Sequence, residues 1–184
     1  MMAPELNFVD RHPPIVKTVS LPTEVHTRAL ALALATQPGI AHAYIELYGP
    51  LGAGKTTVVR HLLRALGVSG RIKSPTYAVV EPYELAQREP PLNIWHFDFY
   101  RFTDPREWED AGFRDLFASP GLKLAEWPEH AAGMLPMADL VLRLSVVDDD
   151  ARLLTLCAQS SLGAQLVDAV FPVTSGPARQ GANA

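Results

Sequence analysis

Apolar residues recur along this chain with two different periods, and the period changes wherever glycine, proline or small polar residues interrupt it. Ile15 to Leu21 alternates as a short strand. Thr23 then stands as an N-cap before a run of Ala and Leu that stops at Pro38-Gly39. Within that run Leu30, Leu32 and Leu34 alternate as a strand would. Ala and Leu are the strongest helix formers, however, and a cap and a stop flank them, so a helix is expected. His42 to Tyr48 reads as a strand ending at Gly49, followed by a helix from about Lys55 to Leu66 with Gly67 as its C-cap. Further strands are predicted over Tyr77 to Leu85, Leu92 to Tyr100 and Leu122 to Trp127, with a helix opened by Asp104 and Pro105 between the last two. Leu140, Leu142, Leu144 and Val146 alternate with more polar neighbours. Asp148 to Asp150 then turn the chain into Arg152 to Ala158, an antiparallel hairpin. The pattern predicts an α/β fold, a mixed sheet flanked by helices with a C-terminal antiparallel hairpin.

Both ends break the pattern. Residues 1–14 are Pro-rich and aperiodic, and the residues after Phe171 are Pro, Gly, Ser and Ala with little to pack. No fixed-period repeat and no long interior linker divides what remains. The expected organisation is a flexible start (1–14), a single domain (15–170) and a flexible tail (171–184).

Composition changes the picture by what it excludes. At 184 residues with 48% hydrophobic and 20% charged residues, the chain can build a full core. Its net charge of −4 leaves no uniform positive field for counterion-driven binding to nucleic acid. DNA is therefore not an expected partner, and any RNA contact must be local or borrowed from another protein. Cys157 is the only cysteine, so neither an internal disulfide nor a Cys-based zinc site can form. The first residues lack the charged start and apolar run of a signal peptide, and the apolar stretch Ala29 to Ala35 is far too short to span a bilayer. The expected address is the cytoplasm, with no membrane contact.

Chemistry concentrates at Gly49-Pro50-Leu51-Gly52-Ala53-Gly54-Lys55-Thr56, which fits G-x-x-x-x-G-K-[ST] between a predicted strand and a predicted helix. Glycines let the backbone wrap a phosphate with its N–H groups turned inward, and the helix adds its positive N-terminal end. Lys55 would reach the β- and γ-phosphates and Thr56 would hold magnesium. Such a loop needs a carboxylate at the end of a neighbouring apolar strand, and Asp98 and Glu126 both qualify. His96, taken as the strand neighbour of Asp98, could be a base, but as a neighbour it is expected to face the opposite side as a packed or surface histidine. Ser74-Pro75-Thr76-Tyr77 follows the phosphate-loop helix, where nucleotide-sensing loops place a hydroxyl. Arg101, Arg106 and Arg114 could supply transition-state charge, although a solvated face suits at least two of them better. Cys157 in its strand is expected to be core.

In chain order, LYGPLGAGKTT (47–57), KSPTYAVVEPYE (73–84), HFDFYRFTDPREWEDAGF (96–113) and LAEWPE (124–129) closely resemble the TsaE family, also called YjeE. These are bacterial ATPases required for threonylcarbamoyl-adenosine formation in tRNA. The resemblance covers about residues 15–146 and implies a P-loop fold with a mixed sheet. It further implies ATP and Mg2+ as cofactors, with Gly49 and then Gly52, Ala53, Gly54, Lys55, Thr56 and Thr57 around the phosphates. By the same resemblance Thr56 and Glu126 are magnesium ligands and Asp98 is the Walker-B-like carboxylate close to the metal. Lys55, Asp98 and Glu126 form the catalytic set. Thr76 is the switch-loop hydroxyl, Trp127 adjoins the site, and adenine lies near Thr23 and Glu24. The implied partners are TsaB-like and TsaD-like proteins, with TsaD making the bond to tRNA beside the anticodon and TsaE resetting the assembly through ATP hydrolysis. Residues Gln87 to Pro91, an extended hairpin tip, depart from the family pattern.

The rival reading is a small-molecule P-loop kinase, which requires an acceptor pocket and an Arg-rich lid. A GTPase is disfavoured, since the chain contains neither N-K-x-D nor D-x-x-G.

Overall fold

A computed structural model describes residues 15–171 except 105, 107, 109 and 110. Of the segments expected to be flexible, 1–14 and 172–184 lie outside the described residues, while Phe171, the first residue of the expected tail, packs against the core. Among the described residues seven strands form one sheet in the order β1-β7-β6-β2-β5-β4-β3: β1 Val16–Leu21, β2 Tyr44–Tyr48, β3 Val80–Leu85, β4 Leu92–Asp98, β5 Leu122–Glu126, β6 Leu140–Val146 and β7 Arg152–Ala158. The four central strands β6, β2, β5 and β4 run parallel, while β3 on one side and β7 and β1 on the other pair antiparallel. The sheet is therefore mixed, as the pattern predicts. Strand β2 lies between β5 and β6, neither adjacent to it in sequence, so the crevice beyond its carboxyl end is where an open α/β sheet receives a ligand.

Helices α1 (Glu24–Ala35), α2 (Lys55–Leu66) and α4 (Ser161–Val170) pack with one sheet face, and α3 (Phe113–Ala118) belongs to the other. In α2, Val58, Val59, Leu62, Leu63 and Leu66 recur at helical spacing and are buried against Ile45, Leu47 and Leu124. Its end is closed at Gly67, whose φ of 108° lets the chain turn while Val68 N–H donates to the Leu63 carbonyl. Helix α1 settles the ambiguous Ala/Leu run: Thr27, Leu30, Ala31 and Leu34 are buried, while Leu32 is 54% exposed. The opposite face carries an aromatic cluster, with Phe97, Phe99, Trp108 and Phe113 packed in mutual ring contact and with Phe117 stacked on Phe97.

Several boundaries differ from expectation for local reasons. The strand predicted from His42 is preceded by a 3-10 turn, Pro38–His42, which begins where proline fixes the backbone. Residues 77–79 turn rather than extend: Val79 has φ 65° and its N–H closes onto the Pro75 carbonyl. Strand β4 stops at Asp98 because its carboxylate takes the Tyr100 N–H. Strand β5 stops at Glu126 because Trp127 is left-handed, φ 57°. Thr23 occupies the N-cap of α1, but its hydroxyl is bonded to His26 Nδ1 at 3.0 Å rather than to a helix N–H. The helix expected to open at Asp104 and Pro105 falls partly on residues outside those described; of its described residues, Arg106 donates its N–H to Asp104, and Arg106 and Trp108 are helical. Helix α4 is absent from the sequence-based assignment. Ser160 caps it by accepting the Gly163 N–H at 3.1 Å. No helix among the described residues is long and apolar enough to cross a membrane.

Candidate functional site

The loop between β2 and α2 is shaped by three glycines at positive φ: Gly49 at 142°, Gly52 at 78° and Gly54 at 102°. Gly49 is also sterically fixed, since a Cβ there would stand 2.6 Å from the Leu144 carbonyl oxygen of the adjacent strand. Within the loop Ala53 N–H donates to the Pro50 carbonyl, and α2 begins at Lys55 directly after Gly54. The helix N-terminus carries unpaired N–H groups and partial positive charge at the same point.

Lys55 is buried and folds back over this loop. Its Nζ donates to the carbonyls of Gly49 (2.6 Å) and Pro50 (3.0 Å) and lies 3.6 Å from the centroid of the Trp127 ring. Burial pushes the ammonium pKa below its ordinary value, while Glu126, Glu129 and Asp98 pull it back up. The Trp127 ring sits in turn against Tyr100 (4.9 Å) and His130 (5.7 Å). His130 Nδ1 is within hydrogen-bond distance of the Phe99 and Tyr100 carbonyls, so it donates and ties this aromatic group to the end of β4.

Asp98 and Glu126 stand directly opposite each other on β4 and β5 and are both buried. They serve different partners. Glu126 Oε2 accepts the Thr56 hydroxyl at 2.8 Å, which joins the carboxyl end of β5 to the first turn of α2. Asp98 Oδ2 accepts the hydroxyls of Thr76 (2.8 Å) and Ser74, so Asp98 holds the loop after α2. Positions 96 and 98 are two residues apart and therefore share a face, which corrects the expectation that His96 points away. His96 is fully buried, and its Nε2 lies 2.8 Å from Glu126 Oε1.

The base of a nucleotide would need space beside the loop. A cavity of about 160 Å³ lies there, lined by Glu24, Thr27, Ala53, Gly54, Thr57 and the β6–β7 hairpin at Asp149, Asp150 and Arg152. Glu24 and Thr57 thus come together with the loop, while Thr23 precedes the lining by one residue. Arg152 is a residue that the sequence reading passed over. Its Nε donates to the Ala53 carbonyl at 3.1 Å, and its Nη1 to the carbonyls of Asp148, Asp149 and Ala151. An arginine two residues past the acidic triplet 148–150 was the available signal. A larger cavity, about 530 Å³, is lined by Trp108, Arg114, Phe117 and residues 133–136, on the aromatic side of the sheet. Of the three arginines considered, Arg101 stacks on Tyr77 (4.4 Å) and Arg106 pairs with Asp104 (2.7 Å), both at the surface. Cys157 is only partly buried.

The donor set suits magnesium chemically, being made of hard oxygens from one hydroxyl and two carboxylates. Among the described residues no three His, Cys, Asp and Glu side chains form a metal site by themselves. Magnesium at phosphate loops uses one or two carboxylates and completes its shell with phosphate oxygens and water.

A family model described as "Threonylcarbamoyl adenosine biosynthesis protein TsaE" matches residues 21–154. The chain is 42% identical over 140 residues to the tRNA threonylcarbamoyladenosine biosynthesis protein TsaE of Haemophilus influenzae, covering 76% of this chain and 84% of that protein. It is 32% identical over 137 residues to the protein of the same name from Bacillus subtilis, covering 74% and 81%. The crystal structure of Bacillus subtilis YdiB shares the fold, with a TM-score of 0.67 and 24% identity over 87% of this chain and 97% of that one.

Proposed function

The chain belongs to the TsaE family, and from that premise we propose that it is an ATP-binding and ATP-hydrolysing subunit for threonylcarbamoyladenosine modification of tRNA next to the anticodon. It acts in the cytoplasm and resets a complex of TsaB-like and TsaD-like proteins between turnovers. The observation that carries the reading is the bond from Thr56 to Glu126, which sets a loop hydroxyl and a strand-end carboxylate together beneath three positive-φ glycines.

Each residue then has a separable role. The backbone N–H groups of Gly52 to Thr57 and the start of α2 cradle the phosphates. Lys55 leaves its two carbonyls for phosphate oxygens, a short swing of a side chain already in place. Thr56 and Glu126 hold Mg2+, with Asp98 beside them. When bound, that ion neutralises charge building on the β- and γ-phosphate oxygens. Asp98 orients the attacking water once Thr76 and Ser74 release its carboxylate. The cavity at Glu24 and Thr57 is the place for the adenine and ribose. The tRNA is held by the partner proteins, in keeping with the net charge of −4.

A small-molecule kinase would need its acceptor beside the γ-phosphate. The larger cavity lies among the aromatic residues Trp108 and Phe117 of the other sheet face, which favours the ATPase. The test supplies γ-labelled ATP to the pure chain, with and without the two partners and tRNA, and follows the label. Release as inorganic phosphate, accelerated by the complete assembly, supports the reading. Transfer of the label to a small acceptor overturns it.

A further inference from the structure

His96 has no part in the reading above, yet it is the most deeply placed polar side chain at the site. It is 0% exposed, and Glu126, which it meets at 2.8 Å, is 2% exposed. Its other ring nitrogen, Nδ1, is buried without any hydrogen-bond partner. An orphaned buried N–H is far rarer than an under-used acceptor, so the ring's one proton belongs on Nε2, where Glu126 Oε1 receives it.

The consequence falls on Glu126. A carboxylate has two oxygens and can rotate about its last bond, offering either oxygen, or neither, to a given direction. Here Oε1 is taken by His96 from β4 and Oε2 by Thr56 from α2, so both oxygens have assigned neighbours. Because β4 and β5 are held in register with His96 opposite Leu124 and Asp98 opposite Glu126, the donor stands at a fixed height below the strand end. Partners of this kind, bonded to a ligand rather than to the metal, fix its orientation and typically change metal affinity about 10- to 100-fold when removed.

We propose that His96 is a positioning residue: by donating from Nε2 to Glu126 Oε1, it leaves Oε2 aimed at Thr56 and at the cation that accompanies ATP. It acts through Glu126 and does not itself touch nucleotide. This inference rests on the phosphate-loop reading of Thr56 and Glu126. It predicts that losing the donor weakens the magnesium-dependent part of nucleotide binding and spares the part made by the loop backbone and Lys55.

The experiment measures ATP binding by Trp127 fluorescence in excess Mg2+ and again in EDTA, for wild type, His96→Leu and His96→Gln. Leucine removes the donor, whereas a glutamine amide can place an N–H close to Nε2. In His96→Leu the ratio of affinity with Mg2+ to affinity with EDTA should fall about tenfold, with the EDTA affinity within about threefold of wild type. His96→Gln should recover most of the ratio. An unchanged ratio in His96→Leu overturns the proposal, as does equal weakening of both affinities, which would mark a merely structural role. If wild type itself shows no magnesium-dependent ATP binding, the phosphate-loop reading fails instead. Should His96→Leu not fold, 15N chemical shifts of the wild-type imidazole decide: an unprotonated Nδ1 and a protonated Nε2 are expected, and a protonated Nδ1 overturns the proposal.

Discussion

The Lys55 ammonium lies 3.6 Å above the Trp127 ring while bonded to the carbonyls of Gly49 and Pro50. A cation over an indole face is attracted by the ring quadrupole, by about 1 to 2 kcal/mol at a buried site. In the proposed function the same ammonium moves to phosphate, and the tryptophan beneath it would then register nucleotide directly.

ATP should therefore change the intrinsic fluorescence of the wild type, and Trp127→Phe should abolish most of that change. Trp95 and Trp108 lie elsewhere, the first near Lys123 and the second within the aromatic cluster, and should contribute little. Lys55→Met should alter the resting emission before any nucleotide is added. A nucleotide-dependent signal that survives Trp127→Phe at full size would separate Trp127 from the phosphate site.

Gly49 and Gly52 provide a test with one chemical change at two places. Both have positive φ, but a Cβ at Gly52 meets nothing within 4 Å, whereas one at Gly49 meets the Leu144 carbonyl oxygen at 2.6 Å. Gly52→Ala should cost only the left-handed penalty, about 1 kcal/mol. Gly49→Ala must also push the loop away from β6 and should cost at least about 2 kcal/mol more, read as the difference in urea midpoint. Equal midpoints for the two variants would contradict the close approach.

Arg152→Ala should loosen the β6–β7 turn and the loop together. Its Nε bond to the Ala53 carbonyl is the contact that carries the hairpin to the phosphate loop, and it is charge-assisted. With partial solvent access, about 1 kcal/mol of stability should be lost. ATP affinity should fall several-fold, since Arg152 also lines the cavity beside Glu24. Arg152→Lys cannot reproduce the fork to four carbonyls and should not restore affinity. Wild-type affinity in both variants would remove the hairpin from the nucleotide site.

What could be read from the sequence followed the range of each constraint. The glycine loop between β2 and α2 was legible because its glycines, Lys55 and Thr56 are contiguous and their geometry is local. Asp98 and Glu126 were legible as strand-end carboxylates, but their division of labour depends on the β4–β5 register and on the return of residues 74–76, which are tertiary facts. The place of His96 was legible as well, since a strand's period of two puts positions 96, 98 and their neighbours on β5 on one face. Helix α4 has no counterpart in the sequence pattern described above, and it carries Gly163, a poor helix former, in its first turn. The structure explains that glycine by contact: a Cβ there would lie 1.8 Å from the Asp139 carbonyl oxygen, so the backbone of α4 packs where no side chain fits. Ser160, which accepts the Gly163 N–H and donates to Asp139 Oδ1, was the cap signal left unused.

Lys55 and Asp98 should separate binding from turnover. Lys55→Ala removes a cation that would make charge-assisted bonds to phosphate, so ATP affinity should fall by at least about tenfold. Asp98→Ala leaves the loop and Lys55 intact and should bind ATP within a few-fold of wild type while losing hydrolysis. In the presence of TsaB-like and TsaD-like proteins and tRNA, the wild type should support many rounds of modification, whereas both variants should stall near one round per complex. The reason is common to both: one fails to load ATP and the other fails to spend it, and either way the assembly is not reset. Counting modified tRNA per complex over time distinguishes a stall from a slow steady rate. Sustained multi-round modification with both variants would remove ATP hydrolysis by this chain from the reset step.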